Sequence, residues 1–324
     1  MIDSVGPNLV ILIAGLLVFA AVFLLIFLLA ERTSVKTQEV LRYAVFLGPA
    51  LLLLAIGLLY PAGRTLYLSF MNKQGQEFVG LDNYIWAFTT PEIQIVIRNT
   101  FIWVLVVPIF ATIFGLAMAY LTDRMKFASV VKSLVFLPMA ISMVGASIIW
   151  RFVYTYRPDE DQAEIGLLSA IVEAFGGEPL NWLLTPPLNT FLLLTVMVWI
   201  QTGFSMVVLS AAMKAIPDEI QEAAMLDGAG QFKRFLQVTV PMIRASIVVV
   251  ITTTLIGTLK VFDIVRTMTG GNFSTSVVAN EMYTQAFRQL NYGTGSTLAV
   301  LLLIAIIPLI WYNIRQLRLE RTEN

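Results

Sequence analysis

The chain has 324 residues, no net charge at neutral pH, 58% hydrophobic and 13% charged residues, and a mean hydropathy of +0.80, against roughly 25% charged residues in a soluble domain. It contains neither cysteine nor histidine, which excludes disulfides, thiolate chemistry and any metal site built on those ligands. The balanced charge offers nothing to nucleic acid, and the length suits six to eight membrane helices of about 20 residues each.

Residues 8–30 carry no charge. The stretch is too long for a signal-peptide core and lacks a basic leader and a small-residue cleavage site, so it is expected to be a retained membrane helix. A charged linker at 31–42 leads to a second span at 43–60, ending at Pro61. Residues 63–98 are mixed. The phrase FVGLDNYIWAF sets Phe78, Tyr84, Trp86 and Phe88 as an interfacial aromatic belt, and a second helical stretch covers 92–98.

The third span is expected at 99–122, with Pro108 inside it, and a basic turn at 123–132 follows. The fourth span, 133–150, contains Pro138, Ser142 and Gly145, where local breaks are plausible. A polar, Pro- and Gly-rich loop at 151–188 holds one short amphipathic helix at 166–175, and Arg151 is placed to cap a helix end. The fifth span is 189–212. The sixth, 246–265, is interrupted by Lys260 and Asp263, whose spacing allows an ion pair. A loop at 266–292 carries a helix at 276–287. The seventh span is 293–311, and the tail frays.

Between the fifth and sixth spans lies KAIPDEIQEAAMLDGAGQFKRFLQVTVPMIRA, 214–245. Pro217 and Asp218 mark a helix start, and Asp218 with Gln221 has capping-box spacing. Gly228 can supply a left-handed terminator. A second short helix covers 231–238, and Pro241 stops it or opens the next element. From residue types alone this reads equally as an ordinary loop between membrane helices. Thirteen of the 21 Lys and Arg fall in the segments 31–42, 123–132, 213–245 and 314–324. The positive-inside bias therefore places these in the cytoplasm, with the N-terminus outside and the C-terminus inside. Seven helices alone would equally fit a receptor or another carrier. No G-x-x-x-x-G-K-[ST] phosphate loop and no Ser/His pair is present, so any nucleotide site would lie on a partner.

The 214–245 loop resembles the cytoplasmic coupling loop of binding-protein-dependent ABC transporter permeases, which begins Glu-Ala-Ala, places a Gly after three more residues, and ends in a hydrophobic-x-Leu-Pro element. The matching positions are Glu222, Ala223, Ala224, Gly228 and the element ending at Pro241. Asp227, Ala229 and Phe235 fit the MalF-type sugar-permease branch. Val240 stands where Leu is usual, and Ala245 where many members have a second Pro. LGPALLLLAIGLLYPAGRTLYLSF, FVGLDNY and RNTFIW are similar to further phrases of that branch. IQTGFSMVVLSAAMKAIP and LKVFDIV look most like permeases for alpha-glucosides.

The resemblance covers about 40–315. It implies an all-α polytopic membrane protein: a six-helix type I importer core at 43–315 with the coupling loop at 213–245, an added N-terminal helix and linker at 1–42, and a tail at 316–324. It implies a bacterial or archaeal cytoplasmic membrane, a second MalG-like permease, two ATPase subunits that bind ATP and Mg, and an extracytoplasmic sugar-binding protein. The chain itself would bind no cofactor or metal and catalyse nothing. Ser69 to Arg98 is too short for the folded outer insertion of the maltose permease, so contacts with the binding protein would come from 151–188 and 266–293. Met225, Phe232 and Phe235 would anchor the ATPase. Polar groups in apolar helices, Asn99, Trp199, Gln201, Ser205 and Asn280, are candidates for the sugar pathway; helix–helix bonding is the competing role for each. A secondary transporter and a non-transporting scaffold are the alternative readings.

Overall fold

The computed structural model describes residues 47–123, 125–157 and 165–323, with 14, 15, 17, 19–22, 24, 28 and 43 before them. Most of the first expected span, its linker and Arg124 lie outside the described residues, as does 158–164. The chain divides into two compact units, 1–67 and 68–324. Helix α1, Leu47–Leu68, is apolar and long enough to cross a bilayer, and none of that stretch is buried. It runs past Pro61, where the sequence suggested an end. A π-turn at Ala55–Leu59, closed by the Tyr60 N–H on the Ala55 carbonyl, explains this. Proline lacks an N–H and its ring crowds the carbonyl four residues back, and the widened turn moves that carbonyl aside.

The second unit is helical, and the β pairing among its described residues is an isolated bridge between Met71 and Phe78. Helix α2 is Asp82–Thr89. Helix α3, Pro91–Thr122, has Pro at its first position and absorbs the 92–98 stretch into one continuous helix; Pro suits that position because its missing N–H would be unpaired anyway. The fourth expected span is not straight. Helix α4, Ala128–Phe136, extends through a 3₁₀ turn to Ala140 and meets helix α5, Met143–Val153, at 103°. Ser142 marks the corner and caps α5, its Oγ accepting from Gly145 N–H at 3.1 Å.

Helix α6, Leu167–Ala174, precedes helix α7, Leu188–Lys214. Helix α8, Asp218–Leu226, and helix α9, Gln231–Met242, make up the 214–245 segment. Helix α10, Arg244–Leu259, leaves α9 at 71°. Its 16 residues span only about 24 Å at 1.5 Å per residue, short of a full hydrocarbon core. Helix α11, Asp263–Met268, and helix α12, Val278–Tyr283, continued by a π-turn to Arg288, follow. Helix α13, Tyr292–Glu323, is helical into the tail that the sequence suggested would fray. Helices α1, α3, α7 and the 292–313 part of α13 are each long and apolar enough to cross a membrane, and the two bent pairs raise the number among the described residues to six.

The packing centre is the long pair α3 and α7. A Cβ on Gly115 would fall 2.3 Å from Ser205 Cβ and 2.9 Å from Met206 N, so only glycine allows this approach. Small residues at the crossing are what helix pairs in lipid need, because water gives no hydrophobic drive between them there. Trp103, Val107, Leu193, Leu194 and Met197 fill one cluster with Ile264 and Val265 from α11. Ala119, Met206 and Leu209 fill another with Ile243 and Val250.

Candidate functional site

Helix α8 begins after Pro217, so Asp218 is its first helical residue rather than its cap. The expected capping box is therefore not formed. Gln221 instead donates from Nε2 to Thr239 Oγ1 at 3.2 Å, tying α8 to α9. At its other end, Gly228 adopts φ +77°. The Gly228 N–H donates to the Met225 carbonyl at 3.0 Å and the Ala229 N–H to Ala224 at 3.1 Å. That is the paired closure of a Schellman motif, which needs a left-handed residue at this position.

Helix α9 is longer than the 231–238 suggested by the sequence. A π-turn at Phe235–Thr239, closed by the Val240 N–H on the Phe235 carbonyl, again stands immediately before a proline, Pro241. The chain turns at Ile243 instead, between α9 and α10.

Of the family-motif positions, Glu222, Ala223, Asp227 and Gly228 are exposed, and Ala224 and Ala229 are half-buried. Beside them an apolar patch faces outward: Leu226 is 89% exposed, Phe232 73% and Met225 52%. Phe235 is half-buried, its ring packed 4.3 Å from that of Tyr120 near the end of α3. Leu226 adds the most exposed apolar side chain of the patch; a Leu closing an amphipathic turn gives no sequence signal of exposure. Between this segment and the membrane helices lies a polar cavity of about 440 Å³, lined by Tyr120, Asp123, Lys214, Asp218, Gln221 and Thr239 among others.

The five pathway candidates separate into two groups. Asn99 is 2% exposed, and its amide donates to the carbonyls of Ser274 at 2.6 Å and Ser276 at 3.0 Å. Asn189, overlooked at the start of α7, donates to the Phe273 carbonyl at 2.9 Å. Together they clamp a turn in which Phe273 and Ser274 both have positive φ. Asn280 is 1% exposed and donates to Ser276 Oγ at 3.0 Å. Ser205 is fully buried, donates to the Gln201 carbonyl one turn back at 3.0 Å, and forms the Gly115 contact. These three side chains are buried, and Asn280 Oδ1 has no hydrogen-bond partner among the described residues. Trp199 and Gln201 are half-buried. Trp199 stands edge-on to Trp150 with centroids 5.7 Å apart, and Gln201 lies near Gly257 of α10.

The Lys260–Asp263 ion pair is not present among the described residues. Helix α10 ends at Leu259, so the two residues flank a break instead of sharing a helical face. Arg151 does meet a helix end, donating to the Thr267 carbonyl of α11 at 3.4 Å. It also lines a cavity of about 630 Å³ with Tyr156, Asn181 and Thr269 among others. None of the five pathway candidates lines either cavity.

The arrangement is that of helices long and apolar enough to cross a membrane, with an exposed two-helix elbow between α7 and α10. The chain belongs to the binding-protein-dependent transport system inner membrane component family, whose pattern matches residues 85–321. It is 46% identical, over 85% of its length and 99% of the relative's, to the osmoprotective compounds uptake permease protein GgtC of Synechocystis sp.. It is 46% identical, over 87% of its length and 84% of the relative's, to the alpha-glucoside transport system permease protein AglF of Rhizobium meliloti. A chain in the crystal structure of a bacterial ABC transporter that imports the acidic polysaccharide alginate shares the fold, with a TM-score of 0.73 at 20% identity, covering 87% of this chain and 96% of that one.

Proposed function

We propose that this chain is the permease subunit of an ATP-driven sugar importer that takes alpha-glucosides such as maltose, trehalose or sucrose. The observation that carries the substrate class is the 46% identity to the alpha-glucoside permease across 87% of the chain. In this reading a second, MalG-like permease completes the pathway, two ATPase subunits bind ATP and Mg, and an extracytoplasmic sugar-binding protein delivers the substrate. This chain supplies no nucleotide chemistry. The bias of Lys and Arg supports an outer N-terminus and a cytoplasmic C-terminus, which puts α8 and α9 inside the cell.

The elbow is the input of mechanical work. Glu222 offers a charged acceptor, Ala223 and Ala224 permit close approach, and Met225, Leu226 and Phe232 present apolar surface for a cleft on the ATPase. Gly228 and the Gln221–Thr239 bond keep the two helices at a fixed angle. A rigid insert transmits displacement, and coupling follows if it makes different contacts in the outward-facing and inward-facing states. Trp199 and Gln201 are the pathway residues best supported by position, combining an aromatic face with an amide that makes no hydrogen bond among the described residues.

A second reading has specific support, since the osmoprotectant permease is equally identical. One assay tests the substrate class: uptake of labelled maltose, trehalose and sucrose by the complete importer with its binding protein in proteoliposomes. Saturable uptake of an alpha-linked disaccharide supports the proposal. Uptake of none of the three overturns the alpha-glucoside assignment.

A further inference from the structure

Helix α3 ends at Thr122, and Asp123 caps it, its N–H donating to the Ala119 and Leu121 carbonyls. A carboxylate at this end of a helix is unfavourable, because the unpaired carbonyls there already carry partial negative charge. Its presence calls for a partner from outside α3, and the structure supplies three. The Lys132 ammonium, from α4, pairs with Asp123 Oδ1. Ser210 Oγ, from α7, lies 3.1 and 3.2 Å from the two carboxylate oxygens and also accepts from Lys132 Nζ at 2.5 Å. The Lys214 ammonium, at the last residue of α7, stands 3.8 Å from Oδ1.

The inner two partners are half or fully enclosed: Lys132 and Asp123 side chains are 19% and 20% exposed, and Ser210 is 3% exposed. The Lys214 side chain is 66% exposed. Only Ala215, Ile216 and Pro217 separate it from α8. Asp123 and Lys214 also line the cavity roofed by Asp218, Gln221 and Thr239 of the elbow. The cluster thus has an enclosed part, Lys132 and Ser210, and an exposed member, Lys214, one turn beyond Ser210 at the end of α7 where the chain leaves for α8.

We infer that Asp123 is a positioning residue that registers the elbow's displacement through Lys214 and passes it to α3, α4 and α7. This rests on the coupling role proposed for α8 and α9. Lys214 is the charged group of α7 nearest the elbow, so a displacement of α8 reaches the last turn of α7 there first. The Asp123–Lys214 separation then differs between the two states, while Lys132 holds the carboxylate in place. A purely structural ion pair would affect assembly and thermal stability, and leave the number of sugars moved per ATP unchanged.

The test measures sugar uptake and ATP hydrolysis together in proteoliposomes of the complete importer, with a disaccharide it transports. Asp123→Asn and Lys214→Gln are each expected to assemble with the ATPase subunits and hydrolyse ATP, with uptake per ATP falling about tenfold, within the usual range of allosteric coupling. Asp123→Glu is expected to retain at least half of the wild-type ratio. A wild-type ratio in Lys214→Gln overturns the inference, whatever Asp123→Asn does. If Asp123→Asn fails to assemble, the exposed Lys214→Gln decides: a fallen ratio supports the inference and a normal one overturns it. An exposed-face variant of α8, Ala223→Trp, run alongside, separates the two ideas. If it too is fully coupled, the elbow reading has failed. If it is uncoupled while the Lys214 variant is normal, only the Asp123 inference has.

Discussion

Gly228 holds φ +77° with open space around its Cα, so the demand there is on the backbone alone. A side chain in the left-handed region costs about 1 to 2 kcal/mol. Gly228→Val is therefore expected to loosen the α8–α9 elbow while leaving the membrane helices intact. Little change in thermal midpoint, together with reduced ATP-driven uptake, is the expected result; normal uptake would remove the turn from the mechanism.

Asn99 makes the opposite forecast. Its amide satisfies two turn carbonyls, and Asn99→Ala leaves them without that donor. The expected loss is about 1 to 3 kcal/mol of stability, read as a lower thermal midpoint of the protein in detergent, with an unchanged KM for substrate. Gln201→Ala should do the reverse, raising KM with the midpoint unchanged; an unaltered KM would give Gln201 a packing role.

At the scale of elements, the crossing of α3 and α7 depends on Gly115. Gly115→Val places a Cβ 2.3 Å from Ser205 Cβ and adds two methyl groups beyond it. Overpacking of this kind typically costs about 1 to 3 kcal/mol. The variant is expected to express poorly or melt early, and wild-type stability would mean that the helices part easily at this level. Element existence was legible in the sequence because long uncharged runs and the Glu222–Gly228 phrase are strong signals. Element ends were less so. The sequence shows Pro61 and Pro241, which ordinarily stop helices, but not the π-turns that let α1 and α9 run past them. The corner at Ser142 was hinted at by Pro138 and Gly145, whereas its 103° angle depends on tertiary packing. Likewise, Asn99, Ser205 and Asn280 looked like pathway residues because a polar group in an apolar run has no visible partner. Their partners lie on the same helix one turn back or on segments as far as 177 positions away. Asp123 illustrates the converse: its partners Ser210 and Lys214 belong to a helix that begins 65 residues later.

For the whole molecule, the proposed orientation sets the elbow and the cavity beside Arg151 on opposite sides of the membrane. The chain has no cysteine, so single introduced cysteines report sidedness without a background. Gly176→Cys is expected to react with an impermeant maleimide added outside intact cells, and Glu219→Cys only after the membrane is opened; the inverse pattern would reverse the topology. If partner ATPases drive this chain through α8, bulk added to the exposed face of that helix blocks transport. Ala223 is exposed on that helix, so Ala223→Trp adds bulk without disturbing any packed interior. In proteoliposomes of the complete importer, this variant should keep the wild-type thermal midpoint and lose ATP-driven sugar uptake. Wild-type uptake and ATP hydrolysis in the same preparation would contradict the central claim.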